Sequence, residues 1–183
     1  MISFEWNGIK FNICTVGGGI LRETIAPHSH SKNSYELHFI TGGSGTLIAH
    51  NNQYRLKKGD FFVTGPNLYH AQETDLSNPV EDVFIYIQKI SGKKDNYFAE
   101  AFLNTDFYIA EDFNCTDAVN ILKEYRQKAP DYKTVISGLS MKLLSEITRY
   151  YLPEYADGKT DSDNLYDNRF LIIEKSFLYH RPS

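Results

Sequence analysis

The first half of the chain alternates apolar and polar residues with a period of two, a pattern typical of β-strands. Glycine and asparagine residues separate the alternating runs and predict turns. We expect the triplet Gly17, Gly18 and Gly19 to end the first strand. Short strands at intervals of about 8–12 residues predict a sandwich or a barrel. The predicted strands cover residues 10–16, 35–40, 46–50, 53–56, 61–64 and 83–88.

Beyond about residue 90 the apolar positions follow helical spacing instead. Helices are predicted at about 114–128 and 134–151, because a proline follows each of them. A polar stretch at 157–168 resembles a linker, and residues 170–179 form an apolar segment with helical spacing. Two interpretations of that last segment are open: it folds back onto the barrel, or it is the first helix of a further domain.

Composition and charge narrow the class of protein. The chain has 183 residues, a net charge of −4 and a pI near 5.8, and no basic cluster is longer than a pair. It therefore lacks the basic stripe that nucleic-acid binding needs, and DNA binding by this stretch is not expected. It also contains no apolar run of about 20 residues and no signal-peptide pattern at the N-terminus. Cys14 and Cys115 lack metal-ligand spacing, so a cytoplasmic protein with free thiols is predicted.

The candidate chemistry lies in the histidines. His28 and His30 are two residues apart, so both point to one face of a strand, and Glu36 and His38 share a face of the next strand. His70 follows a predicted turn. These side chains suit Fe, Mn, Zn, Ni or Cu with an open coordination position. A metal site, a metal-free ligand pocket and purely structural histidines all remain open.

Two segments resemble the cupin motifs. Residues 27–30 (PHSH), 35–38 (YELH) and 42–46 (GGSGT) resemble the first motif, and residues 59–70 (GDFFVTGPNLYH) resemble the second. The details are most similar to the sensory domains of AraC-type transcriptional regulators. The order of barrel, helix pair, linker and apolar segment extends this resemblance over nearly the whole chain. Residues 169–173 (RFLII) resemble the first helix of the family's DNA-binding domain, whose remainder would not be part of this chain.

The resemblance implies a mainly β fold: a cupin-type antiparallel β-barrel (a double-stranded β-helix or jelly roll) followed by a C-terminal helical extension. Residues 1–110 would form the ligand-binding barrel and residues 111–156 a helix pair for dimerisation. Residues 157–183 would hold the linker and the first helix of the absent domain. The predicted dimer seam consists of Leu139, Leu143 and Ile147.

The implied function is a ligand-sensing and dimerisation domain that binds a small metabolite, a sugar being one candidate, and thereby controls a helix-turn-helix domain. It is not expected to be an enzyme or to require a cofactor, although a divalent metal could bind. Five residues separate His30 from Glu36, where metal-binding cupins usually have three or four, so the metal ligands are taken as His28, His30 and His70. The alternatives are a small cupin metalloenzyme, an isomerase or dioxygenase using the same three histidines, and a stand-alone carbohydrate-binding cupin. The predicted ligand-binding residues are His28, His30, Glu36, His38, His70 and Tyr86.

Overall fold

Ten strands in two antiparallel sheets form the framework of the computed structural model, which describes residues 1–93 and 95–152. The predicted linker at 157–168 and the predicted helix at 170–179 lie outside the described residues. The elements in chain order are β1 Ile2–Trp6, β2 Ile9–Ile20, β3 Ile25–His28, β4 Ser34–Gly42, β5 Ser44–Ala49, β6 Asn52–Lys57, β7 Phe61–Thr64, β8 His70–Thr74, β9 Glu81–Gly92, α1 Tyr97–Leu103, β10 Phe107–Ala110, α2 Thr116–Gln127 and α3 Tyr132–Tyr151.

The two sheets face one another. One has six strands in the order β1-β2-β9-β4-β7-β10, and the other has four in the order β3-β8-β5-β6. A shared apolar cluster lies between them, since Phe62 and Phe107 of the first sheet pack with Leu47 and Leu56 of the second. The predicted mainly β fold with helices at its C-terminal end is therefore confirmed. None of the helices in the described ranges is long and apolar enough to cross a membrane.

The six-stranded sheet is buried on both faces. Successive side chains of a strand point to opposite faces, so Phe62 of β7 faces the other sheet while its neighbours Phe61 and Val63 join a second core. The three helices cover that second core, to which they contribute Phe102, Ile121 and Leu144 among others. This double burial explains why β9 is apolar or aromatic at every position from Val83 to Ile87.

The glycine triplet does not end the first strand, as the sequence pattern had predicted. Strand β2 continues through it to Ile20 and pairs with β9 along the whole segment. Gly17 lies directly opposite Phe84, and a Cβ atom there would stand 2.3 Å from the tip of the Phe84 ring. Glycine is thus a packing requirement at this point in the strand and not a turn signal.

The apolar stripe of α3 packs within the chain, which corrects the predicted dimer seam. Leu143 and Ile147 are 1% and 0% exposed and belong to the core that also contains Trp6 of β1. The indole nitrogen of Trp6 donates a 2.8 Å hydrogen bond to Ser145 Oγ, which fixes the helix on this strand. The apolar face of the six-stranded sheet is stable only when it is buried against another element, and α3 packs on it. Leu139 is half-buried: part of its side chain packs against the same core and part is exposed.

Replacing Leu143 by alanine tests this assignment. A core leucine loses its transfer free energy and leaves a cavity, so Leu143→Ala should lower the free energy of unfolding by about 2–5 kcal/mol. Met141→Ala on the same helix should change it by less than about 0.5 kcal/mol, because Met141 is 42% exposed. Urea denaturation followed by circular dichroism measures both. Equal effects of the two substitutions would contradict the packing described here.

Candidate metal and ligand site in the barrel

Four potential metal ligands meet between the two sheets. His28 of β3 lies directly opposite His70 of β8, and His30 follows β3 by two residues. Glu36 comes from β4 of the facing sheet. One ligand atom from each of these four residues lies within 4.8 Å of the others. The three histidines predicted from sequence are therefore brought together, and the cluster joins both sheets.

The hydrogen bonds of His28 and His70 fix which ring nitrogen is free. His28 Nδ1 lies 2.9 Å from the carbonyl oxygen of Ala26, and His70 Nδ1 lies 3.1 Å from that of Leu68. A carbonyl only accepts, so each Nδ1 carries the proton and each Nε2 of the neutral ring keeps its lone pair. Within the described part of the chain, nothing hydrogen-bonds to the buried Nε2 of His70. Metal-binding histidines are typically held by such a bond from the other nitrogen.

Glu36 lies in the cluster with the three histidines, as its predicted role in ligand binding requires, although the spacing had left it out of the metal-ligand set. Its Oε2 atom is 2.8 Å from His30 Nε2, and it is 3.9 Å from His70 Nε2, too far for a hydrogen bond. Between His30 and Glu36 the chain makes a tight turn, in which Asn33 adopts a left-handed conformation and Ser34 N donates to Ser31 O. This turn takes up the additional residues, so Glu36 lies with the three histidines despite the longer spacing.

His38 lies behind Glu36 and uses both ring nitrogens. Nδ1 is 2.9 Å from Asp82 Oδ2 and Nε2 is 3.2 Å from Glu36 Oε2. Since two carboxylates accept from it, the ring is an imidazolium, and it stacks on Phe62 with the ring centroids 4.4 Å apart. With no nitrogen left over, His38 orients Glu36 instead of contacting a ligand, which revises its predicted role.

The electrostatics of this pair follow from its contacts. Burial alone would raise the pKa of Glu36, but the charge of His38 and hydrogen bonds with His30 and His38 lower that pKa well below its usual range. Burial would lower the pKa of His38, but the charge of Glu36 and the hydrogen bonds to Asp82 and Glu36 raise it to about 10. Glu36 is thereby held as a carboxylate, the form that binds a metal ion.

Two further residues shape the wall of the site. Tyr86 lies opposite Glu36 in the β4–β9 pair, is half-buried, and stands 4.9 Å from the His30 ring between centroids. Sequence reasoning missed Asp82, although it lies on the same face of β9 as Tyr86 under a period of two. Three imidazoles and one carboxylate leave coordination positions open on an ion such as Mn²⁺, Fe²⁺ or Ni²⁺. The donor set thus fits a divalent metal.

The sequence of the barrel matches a known family, described as AraC-like ligand binding domain, over residues 12–90. The match covers 79 of the 183 residues. No curated protein matches the chain in sequence. The matched residues contain all four members of the cluster. The matched region therefore includes the whole site described above.

One solved structure supports the fold of the barrel and its helices, and two others are less similar. The chain is similar to the ligand-free structure of a ToxT variant from Vibrio cholerae, with 11% identity, a TM-score of 0.52, and coverage of 80% of this chain and 59% of ToxT. ToxT is an AraC-family regulator. Wild-type ToxT bound to an unsaturated fatty acid aligns with 14% identity and a TM-score of 0.42. The alignment covers 80% of this chain and 55% of ToxT. A cupin protein from Bacteroides fragilis aligns with 18% identity and a TM-score of 0.36. The alignment covers 49% of this chain and 77% of the cupin protein.

The charge on His38 predicts a pH dependence of stability. Its pKa is raised from about 6.5 in the unfolded chain to about 10 in the fold. The contribution is therefore complete below about pH 6.5 and is lost as the pH rises toward 10. The free energy of unfolding, measured by urea denaturation between pH 6 and 9, should fall more steeply in the wild type than in His38→Gln.

His50→Gln is the matched control, because His50 is exposed and lies outside the cluster. It should retain the slope of the wild type. Parallel pH profiles for the wild type and His38→Gln would contradict the imidazolium assignment.

Proposed function

We propose that this chain is the ligand-sensing and dimerisation part of an AraC-type bacterial transcriptional regulator, binding a small metabolite inside the barrel. DNA would be bound by a separate C-terminal helix-turn-helix domain. The observation that carries the proposal is the cluster of His28, His30, Glu36 and His70 inside a family-matched barrel. In His28 and His70, the bond from Nδ1 to a backbone carbonyl leaves Nε2 as the nitrogen that can bind a metal.

A divalent metal ion at this cluster is part of the proposal. His28, His70 and Glu36 already present metal-binding atoms, and His30 would give up its hydrogen bond to Glu36 on binding. A bound ion would offer open positions to oxygen atoms of the metabolite. Binding of the metabolite can control DNA binding only if the ligand prefers one of two domain arrangements.

Titration with Ni²⁺ tests the metal site. The protein is freed of metal with a chelator, the chelator is removed, and binding is followed by isothermal titration calorimetry. His70→Ala removes the buried, unpartnered nitrogen and should weaken Ni²⁺ binding by about a hundredfold. His50→Ala should bind like the wild type. Equal affinities in the two variants would show that the cluster does not hold the metal.

Dimerisation is proposed through the solvent-facing surface of α3, since the inner stripe is buried. Val135 is 42% exposed, and half-buried Leu139 lies one helical turn further along the same face. Both side chains would be covered by the same face of a second copy across a two-fold axis. The same apolar residues would otherwise stay in contact with water, which favours their burial.

Sedimentation velocity tests the dimer. At tens of micromolar the wild type should sediment as a dimer and Leu139→Asp as a folded monomer, because a charge in the seam has no partner. Met141→Asp, on another face of α3, should leave the dimer intact. A monomeric wild type would refute dimerisation by this chain, and a dimeric Leu139→Asp would refute this seam.

A cupin metalloenzyme is the second candidate, and the open coordination positions of the cluster favour it. Isomerases or dioxygenases would use His28, His30 and His70 to hold a metal that activates the substrate or oxygen. Turnover by the metal-loaded wild type that is lost in His30→Ala would support the enzyme. Binding without turnover supports the sensor.

A further inference from the structure

The outer face of the four-stranded sheet carries a groove on the side away from the helices. The helices contribute to the core behind the six-stranded sheet, and none of their described residues belongs to the core between the two sheets. The groove has a volume of about 500 Å³. Ligand pockets in proteins measure about 300–1,000 Å³, so the groove is large enough for a small molecule.

The alternation of side chains along the strands separates this groove from the barrel interior. Leu47 and Ala49 of β5 belong to the core between the sheets, so Ile48 between them points outward. Ala71 lies directly opposite Ile48 in the β5–β8 pair and points the same way. Its neighbour His70 borders the groove, but the ring of His70 belongs to the metal cluster. The groove and the cluster therefore lie on opposite sides of one sheet.

A small residue forms the floor of the groove and larger apolar residues form its walls. Ala71 is 3% exposed although it points outward, so larger neighbours must surround its methyl group. Tyr69 lies two residues earlier in the chain, on the same face, and is 65% exposed. Pro27 and Ile48 add apolar surface to the groove. An exposed aromatic ring beside such a surface can stack on another flat ring.

The charge of the groove comes from one carboxylate. Among the described residues that line it, Asp106 is acidic and none is a lysine or an arginine. Asp106 is 66% exposed, and its Oδ2 atom lies 3.3 Å from Nε2 of His50, which compensates the charge only while it is protonated. The backbone fixes this position, because Gly65 N donates a 2.7 Å hydrogen bond to Asp106 O. The groove should therefore attract a cation.

We propose that this groove binds a small aromatic monoamine, a flat ring that carries one ammonium group. The ring would stack on Tyr69, and the ammonium group would pair with Asp106. A neutral aromatic compound would leave the carboxylate without a cation, and an aliphatic amine would leave the face of Tyr69 in water. Only a ligand with both groups matches both features. The site is separate from the metal cluster and does not depend on the proposed sensor function.

Nuclear magnetic resonance titration of the metal-free, ¹⁵N-labelled protein tests the site with phenethylamine as the probe. The comparison ligands are 2-phenylethanol, which lacks the charge, butylamine, which lacks the ring, and phenylacetate, which reverses the charge. Phenethylamine should bind about threefold or more tightly than each of them, the difference that an exposed ion pair or a ring contact provides. The amide signals of Ile48, Tyr69 and Ala71 should shift the most, because these residues line the groove.

Two variants remove the two features separately. Tyr69→Ala should weaken phenethylamine binding about tenfold, and Asp106→Asn should weaken it about threefold to fivefold. The matched controls are Leu76→Ala and Glu73→Gln, which change an exposed apolar and an exposed acidic side chain outside the groove. Both controls should bind like the wild type. All four side chains are exposed, so each variant should keep the dispersed amide spectrum of a folded protein.

Two results would overturn the inference. One is that the wild type binds 2-phenylethanol, butylamine or phenylacetate as tightly as phenethylamine. The other is that Tyr69→Ala and Asp106→Asn both bind phenethylamine like the wild type, which would put the amine elsewhere on the protein. If Tyr69→Ala fails to fold, Tyr69→Leu replaces it with the same expectation, since it also lacks the aromatic ring. Neither result bears on the Ni²⁺ site, because these titrations contain no metal.

Discussion

The imidazolium of His38, held between Asp82 and Glu36, is the interaction on which the site depends. Two carboxylates buried between the sheets would repel each other without a cation, and each would be poorly solvated. The His38 ring lies 2.9 Å from one and 3.2 Å from the other, and it is packed on Phe62. Glu36 is consequently fixed in one orientation, from which it reaches His30. The position of Glu36 in the cluster with His28, His30 and His70 is therefore set by the ion pair that His38 makes behind it.

Strand β9 of the six-stranded sheet contributes side chains both to the core under the helices and to the site between the sheets. In β9, Val83 and Ile85 point to the helices, whereas Asp82, Phe84 and Tyr86 point between the sheets. The helices must therefore cover an apolar surface whose reverse side is the polar site. For this reason the apolar stripe of α3 is buried within the chain. An interface between two copies would have to use the apolar side chains of α3 that are exposed to solvent.

Local pattern was enough to predict the barrel, the helix pair and the three histidines, because each depends on a short-range period or on residue type. The predictions failed where the role of a residue depends on packing against residues that are distant in sequence. Gly17 resembles a turn residue, yet it is needed because Phe84 of another strand occupies its side-chain space. The α3 stripe correctly indicated burial, but not its partner. The spacing from His30 left Glu36 out of the predicted metal ligands, whereas the turn at Asn33 is what brings Glu36 beside His30.

The glycine segment of β2 also joins the site to the helices through direct contacts. On one side the Phe84 ring, 5.9 Å from the His38 ring, lies over Gly17. On the other side Arg126 of α2 donates a 2.7 Å hydrogen bond to the carbonyl oxygen of Gly18. A ligand that displaces Phe84 would therefore press on a strand to which α2 is bonded. Packed elements move between discrete arrangements and not continuously, so such a displacement would act on α2 only if that helix has a second packed position.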